Sequence, residues 1–112
     1  MMEYAEVIIA GGGPAGAACA WRLSRAGIGG IVLDRSEFPR NKTCAGWITP
    51  RVLKTIGIAP SEYPHGITEF RKFRIGIFGR SMALRTRQYA IRRVEFDHWL
   101  HAHFGIATRR HE

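Results

Sequence analysis

Gly11-Gly12-Gly13-Pro14-Ala15-Gly16 is the stretch of sequence that decides the fold, because it joins an apolar run to a helix-forming segment. The run before it, EVIIA at residues 6–10, is typical of a buried parallel strand. A helix is predicted to begin at Pro14, since proline suits the first helical position, and to end at Gly27. Its small or apolar residues recur at helical spacing and predict the buried face: Ala15, Cys19, Leu23 and Ala26.

A second apolar run follows at residues 31–33 and is closed by Asp34. Strand, glycine turn, helix and strand together form a βαβ unit, which predicts the start of a doubly wound sheet. The turn matches the G-x-G-x-x-G pattern of dinucleotide-binding proteins, with an acidic residue at the expected distance. Gly11 would allow the tight turn, Gly13 the close approach of a pyrophosphate, and Gly16 the packing of helix on strand. FAD and NAD both contain ADP, so the pattern alone does not choose between them.

The middle of the chain changes in character. Residues 36–47 are predicted to form an extended loop, and Thr49 and Pro50 to cap and begin a short helix that ends at Gly57. Apolar residues then alternate with others on both sides of a glycine, which predicts an antiparallel hairpin at about 70–87. Its turn is placed at Gly79-Arg80, with glycine in the first position.

The last part of the chain is predicted to hold a helix at about 94–104 and the start of a strand at 106–108. The apolar residues of this helix follow an amphipathic pattern, with Phe96 and Leu100 expected in the core. His98 and His101 lie one helical turn apart, a spacing that can bind metal. No third ligand is evident, so we interpret the histidines as a solvated face and predict no metal site.

The formal net charge of +8 is compatible with nucleic acid, an anionic membrane or a phosphate-containing cofactor. No nucleic-acid-binding motif is present, which favours the cofactor. The two cysteines, Cys19 and Cys44, form no CxxC pair that would indicate zinc or redox chemistry. The first residues lack the basic start of a secretory signal, so a cytoplasmic location is the default expectation.

Beyond the glycine motif, two longer stretches resemble a known family. These are DRSEFPRNKTCAG at 34–46 and YAIRRVEFDHWL at 89–100. Together with the glycine motif they are similar to the FAD-dependent p-hydroxybenzoate hydroxylase-like superfamily, and most similar to its geranylgeranyl reductase members. The resemblance implies an α/β fold: the N-terminal part of a doubly wound, Rossmann-like FAD-binding domain with an inserted antiparallel hairpin. In these terms the chain, 1–112, is a partial domain with its βαβ unit at about 4–35 and its loop and short helix at about 36–58.

The same resemblance assigns roles to residues. The three motif glycines would hold the pyrophosphate, Asp34 the ribose and Arg35 the adenine, while residues 42–46 would lie along FAD towards the flavin. The full set of cofactor-binding residues that it implies is Gly11, Gly13, Pro14, Ala15, Gly16, Asp34, Arg35, Lys42, Cys44, Ala45, Gly46 and Arg93. No catalytic residue is implied, but Cys44 is a candidate beside flavin and substrate, where aromatic hydroxylases tend to carry arginine. Trp47 departs from the further glycine of many reductase-like members.

The function implied is that of a FAD-dependent oxidoreductase, a geranylgeranyl reductase-like enzyme that reduces isoprenoid C=C bonds with NAD(P)H as electron donor. A monooxygenase or halogenase of the same superfamily is the alternative. A non-catalytic truncated fragment is another, and a NAD-dependent dehydrogenase is disfavoured by the hairpin. The expected partner is a small-molecule or prenyl-lipid substrate, with peripheral membrane contact through the lipid and no nucleic acid. The 112 residues by themselves are expected to be inactive.

Overall fold

The computed structural model describes residues 2–110. The helices and strands, in chain order, are β1 (Val7–Ala10), α1 (Pro14–Arg25), β2 (Gly30–Asp34), β3 (Trp47–Ile48), α2 (Pro50–Thr55), a short 3-10 helix (Pro60–Glu62), β4 (Ile67–Ile77), β5 (Arg80–Ile91), α3 (Arg93–Phe104) and β6 (Thr108–Arg110). They form two units, one made of the residues up to Lys42 and from Val94 onward, the other of Thr43–Arg93.

The first unit is built on a parallel sheet with the strand order β1-β2-β6. Val7 pairs with Gly30 at one end of the β1–β2 ladder, and Val32 pairs with Thr108 in the ladder between β2 and β6. Parallel neighbours require a crossover, and α1 supplies it between the first two strands. Ile9, Ala20 and Val32 form the buried cluster between helix and sheet. The α/β, Rossmann-like fold class predicted from the sequence is thereby confirmed.

The buried face of α1 differs from the predicted one. Ala17 and Ala20 are the buried residues of this helix, whereas Ala15, Cys19 and Ala26 are exposed. The helix is rich in small residues all the way round, so hydrophobic spacing distinguishes its faces poorly. Gly16 and the alanines that follow it on the same face can approach the sheet closely, and this approach decides which side is buried.

The second unit contains a three-stranded antiparallel sheet with the order β3-β5-β4. The predicted hairpin is longer than residues 70–87, and the short strand β3, which begins at the last residue of the predicted loop, adds a third strand. Thr49 does occupy the cap position of α2, but its side chain makes no capping hydrogen bond.

The turn of the hairpin also lies elsewhere than predicted. Ile77 pairs with Arg80, so the two loop residues are Phe78 and Gly79 rather than Gly79 and Arg80. Both have positive φ, 50° and 73° respectively. Positive φ at both positions is the geometry of a type I′ turn, in which glycine takes the second place.

Gly46 precedes β3 and is fixed by the end of β5. Its φ is +75°, and a Cβ at this position would collide with the carbonyl oxygen of Ile91. The two residues are also joined by a hydrogen bond of 2.8 Å from the Ile91 N–H to the Gly46 carbonyl. The absence of a side chain at Gly46 is therefore a requirement of the fold, whatever else the residue does.

Replacing Gly46 with alanine should lower the free energy of unfolding by about 2 kcal/mol or more, because the left-handed backbone and the Ile91 carbonyl both oppose a Cβ. Urea denaturation followed by tryptophan fluorescence measures the change. Gly66→Ala is the matched control, since nothing lies within 4 Å of a Cβ there. Equal midpoints for the two variants would contradict the assigned geometry.

Candidate functional site

The glycine loop between β1 and α1 is shaped by two of its glycines. Gly11 has φ +105°, a conformation that side chains rarely adopt, and its N–H donates to the Leu33 carbonyl at 2.7 Å. A Cβ on Gly16 would collide with the carbonyl oxygen of Gly11. Both glycines are therefore needed for the turn and for the packing of α1, independently of any ligand.

Gly13 differs from these two. It caps α1 with φ −71° and ψ −173°, an extended conformation open to any residue, and its carbonyl accepts the Ala17 N–H at 2.9 Å. Pro14 has no N–H, so the first free donors of the helix are Ala15 and Gly16. The first turn of α1 contains no acidic residue. The helix terminus thus presents N–H donors and a positive dipole end, which suit a phosphate.

Asp34, at the carboxyl end of β2, holds the glycine loop. Its Oδ2 accepts the Gly12 N–H at 2.8 Å, and its Oδ1 accepts the Ser36 N–H at 2.9 Å. Burial raises the pKa of this carboxyl, but these two hydrogen bonds and the positive charges of Arg40 and Arg35 outweigh burial, so the pKa of Asp34 lies below its ordinary value. Each oxygen keeps one further acceptor position, which suits the two hydroxyls of a ribose.

His101 holds the same loop from the other side. Its Nε2 lies 2.6 Å from the Gly12 carbonyl oxygen, and its ring packs edge-on against Phe38 with centroids 4.3 Å apart. A carbonyl only accepts, so Nε2 carries a proton. The side chain is buried. The sequence interpretation of a solvated histidine face is wrong for His101, although His98 is exposed.

Arg40 and Asp97 form a buried ion pair next to this contact. Arg40 Nη1 lies 3.2 Å from Asp97 Oδ2, with the two side chains 15% and 1% exposed. The Arg40 guanidinium also lies 4.5 Å from the centre of the Phe38 ring. The pair ties the loop after β2 to α3. Sequence reasoning missed this ion pair. Asp97 and His101 are four residues apart, and each directly follows a core residue, Phe96 or Leu100. This spacing indicates that Asp97 and His101 share one face of the helix.

A depression of about 350 Å³ opens at the carboxyl ends of β1 and β2. Its lining residues are Ala10, Gly11, Leu33, Asp34 and Arg35. Ligands of open α/β sheets bind at this edge. The structure therefore brings the glycine loop, the acidic residue and the arginine of the sequence prediction to one place in the first unit.

The other predicted cofactor residues belong to the end of the first unit's N-terminal segment and to the second unit. Lys42 is exposed at the end of the first unit's N-terminal segment, and Arg93 is the first residue of α3. Cys44 and Ala45 are exposed in the second unit, whereas Gly46 is buried. The Cys44 Sγ accepts the Gly46 N–H at 3.3 Å.

The second unit also has a largely apolar depression of about 340 Å³. Trp47 lies at its edge, donating from Nε1 to Gln88 Oε1 at 3.0 Å and packing edge-on against Phe73 at 4.9 Å. The remaining lining residues are Ala45, Phe70, Tyr89 and Ala90. The large ring that departs from the reductase-like pattern thus forms part of a concave apolar surface.

Comparison with known proteins identifies the family. The sequence matches the FAD binding domain family over residues 4–90. The chain belongs to this family. As a FAD-binding domain it shares 32% identity over 106 residues with digeranylgeranylglycerophospholipid reductase 1 of Methanopyrus kandleri, covering 88% of the chain and 26% of that protein. It shares 33% over 109 residues with geranylgeranyl diphosphate reductase of Rhodobacter capsulatus, covering 95% and 27%.

A solved structure supports the fold of this FAD-binding domain. A myxobacterial chondrochloren halogenase, a FAD-dependent halogenase, superimposes with a TM-score of 0.81 at 21% identity, over 97% of this chain and 29% of the halogenase. The chain thus spans about a quarter of the length of the relatives it matches. Over residues 2–110, none of the helices has the length and apolar character needed to cross a bilayer.

The lowered pKa of Asp34 predicts a pH effect on stability. A carboxyl whose pKa falls on folding contributes stability above its unfolded pKa of about 3.9, and this contribution is lost as pH falls through the lower, folded value. Asp34→Asn should remove about 1 kcal/mol at neutral pH, because the amide has one acceptor oxygen for two N–H groups.

The difference between wild type and Asp34→Asn should therefore shrink as the pH of thermal denaturation is lowered from neutral towards about pH 3. Glu37→Gln, which neutralises an exposed carboxylate nearby, serves as the control. A wild-type-to-variant difference that stays constant with pH would show that the Asp34 charge does not hold the loop.

Proposed function

We propose that the glycine loop and Asp34 bind the ADP half of FAD. Ala15 and Gly16 donate N–H groups to the pyrophosphate, Gly13 gives it room, and Asp34 accepts the ribose hydroxyls. Arg35, at the rim of the depression, flanks the adenine. The observation that carries this assignment is the Asp34 carboxylate, which is fixed by two backbone N–H groups and retains acceptor capacity towards the open edge of the sheet.

The residues of the chain fit FAD in charge as well as in shape. A diphosphate carries negative charge, and the helix terminus that would receive it has no acidic residue in its first turn. The Asp34 carboxylate at this edge is already held by N–H donors, so it is oriented before a ligand arrives. In this proposal Pro14 fixes the entry of the helix, and Lys42, Cys44, Ala45, Gly46 and Arg93 serve the rest of the cofactor.

We infer that the protein containing this domain is a reductase of prenyl-lipid C=C bonds, with NAD(P)H as electron donor. Bound FAD supplies the hydride chemistry in such an enzyme. Support comes from the names of two relatives, digeranylgeranylglycerophospholipid reductase and geranylgeranyl diphosphate reductase, which both refer to a geranylgeranyl compound. The apolar depression beside Trp47 and Phe73 suits a hydrocarbon chain.

A halogenase or monooxygenase is the second candidate. The high structural similarity to a FAD-dependent halogenase supports it. Oxygen distinguishes the two reactions, because halogenases and monooxygenases of this type consume it and a C=C reductase does not.

The FAD-loaded enzyme that contains this chain should reduce a geranylgeranyl substrate when dithionite is the reductant and oxygen is absent. Mass spectrometry should find a gain of two hydrogens for each reduced double bond. Air should not raise the yield. A product that forms only with oxygen, or that contains oxygen or halide, would replace the reductase assignment with the second candidate.

Cys44 is proposed to lie near the flavin and the substrate. Cys44→Ser keeps the small size and the acceptor that the Gly46 N–H uses, so FAD affinity should change less than about threefold. Turnover or the distribution of partly reduced products should change instead. Cys19→Ser is the control and should change neither FAD affinity nor turnover. A Cys44→Ser protein that loses FAD binding and turnover to the same extent would assign Cys44 a purely structural role.

A further inference from the structure

The positive charge of the chain is concentrated in one segment. From Phe70 to Val94 there are eight arginine or lysine residues and no acidic residue, whereas the rest of the chain has nine of each. The whole net charge of +8 therefore resides in the hairpin and the start of α3. Glu69 pairs with Arg71 and Arg87 at the base of the hairpin, and beyond Glu69 the hairpin holds no carboxylate.

The same hairpin exposes apolar side chains. Ile75 lies opposite Met82, and Phe73 lies opposite Leu84, so these four share one face of the ladder. Exposure increases towards the turn, with Met82 58%, Ile77 60% and Phe78 100% exposed. Scattered exposed apolar residues are normal, but a continuous strip that ends on a fully exposed aromatic residue marks an interaction site.

Phe78 is not explained by the turn that it occupies. Its φ of 50° is unfavourable for a bulky residue, and a type I′ turn prefers asparagine or aspartate before Gly79. The fully exposed ring gains no packing within the second unit that would offset this cost. A large apolar side chain held in a strained conformation at the most projecting point of a basic hairpin indicates a partner outside the unit.

We propose that the tip of this hairpin docks on an anionic phospholipid bilayer. Phe78, Ile77 and Met82 enter the interface between headgroups and acyl chains, where apolar side chains of peripheral proteins reach about 5–10 Å deep. Arg74 is four residues from Phe78, a distance of about 13 Å along the strand, so its guanidinium lies at the depth of the phosphates. Arg80 pairs with Ile77 nearer the tip, and its long side chain can extend back to the headgroups. Arg85 pairs with Lys72 farther from the tip and adds positive charge that faces the anionic surface.

The charge pattern selects this partner over two others. A second copy would bring two strongly basic hairpins together without acidic residues between them, which opposes self-association. Nucleic acid would use the charges but leave the apolar strip exposed. An anionic bilayer satisfies both features at once. The inference concerns membrane binding, so its test does not depend on the proposed reductase activity.

The test is flotation of the full chain with vesicles of phosphatidylcholine alone or mixed with phosphatidylglycerol. Wild type should bind the mixed vesicles, and added salt should release it. Phe78→Asn should weaken vesicle binding about tenfold or more, because the aromatic ring that enters the bilayer is lost. Asparagine followed by glycine is the preferred type I′ pair, so this variant keeps or strengthens the hairpin and a folding defect would not explain the loss.

Neutralising Arg74, Arg80 and Arg85 to glutamine should weaken binding about a hundredfold, at about fivefold per charge. Tyr4→Asn removes an exposed aromatic residue of the first unit, and Arg51→Gln with Lys54→Gln removes exposed charges from α2, so these controls should bind like wild type. Equal binding by Phe78→Asn and wild type, binding that ignores anionic lipid, or a Phe78-dependent oligomer in place of vesicle binding would overturn the proposal.

Discussion

The backbone of Gly12 is held at both its N–H and its carbonyl, and the site of the first unit depends on this arrangement. Asp34 accepts its N–H from the carboxyl end of β2, and His101 donates to its carbonyl from α3. The glycine loop therefore takes its shape from three elements that are distant in sequence. A Cβ on Gly12 would lie 2.9 Å from the Phe38 ring, so a side chain there would require this ring to shift. The loop is organised before a nucleotide arrives, which reduces the entropic cost of binding.

The glycines of the motif are required for different reasons. Gly11 and Gly16 are fixed by backbone conformation and by packing, and they would be needed in a protein that bound nothing. Gly13 has an ordinary backbone conformation, so no backbone strain requires glycine there, and in the proposal its missing side chain gives the pyrophosphate room. In the second unit Gly46 belongs to the first group, because the Ile91 carbonyl leaves it no space. A motif residue is therefore not by itself evidence of cofactor contact.

Sequence reasoning predicted the βαβ unit, the family and the position of Asp34 because each depends on local patterns. It placed the hairpin turn one residue late, since it assigned positive φ only to glycine and Phe78 adopts it too. It treated His101 as solvated because polarity usually indicates exposure, and it missed Asp97 for the same reason. The buried roles of both depend on partners, Gly12 and Arg40, that are more than fifty residues away. The spacing of Asp97 and His101 indicates a shared helix face, but no local pattern encodes which distant residues they contact.

The central claim is that the glycine loop receives the pyrophosphate of FAD, and Gly13→Val tests it most directly. The Gly13 backbone accepts valine, so circular dichroism and the unfolding midpoint should stay close to those of wild type. FAD titration by fluorescence quenching should show affinity reduced by a hundredfold or more, about 3 kcal/mol, because the side chain blocks the phosphate. A folded Gly13→Val protein that binds FAD as tightly as wild type would place the cofactor elsewhere.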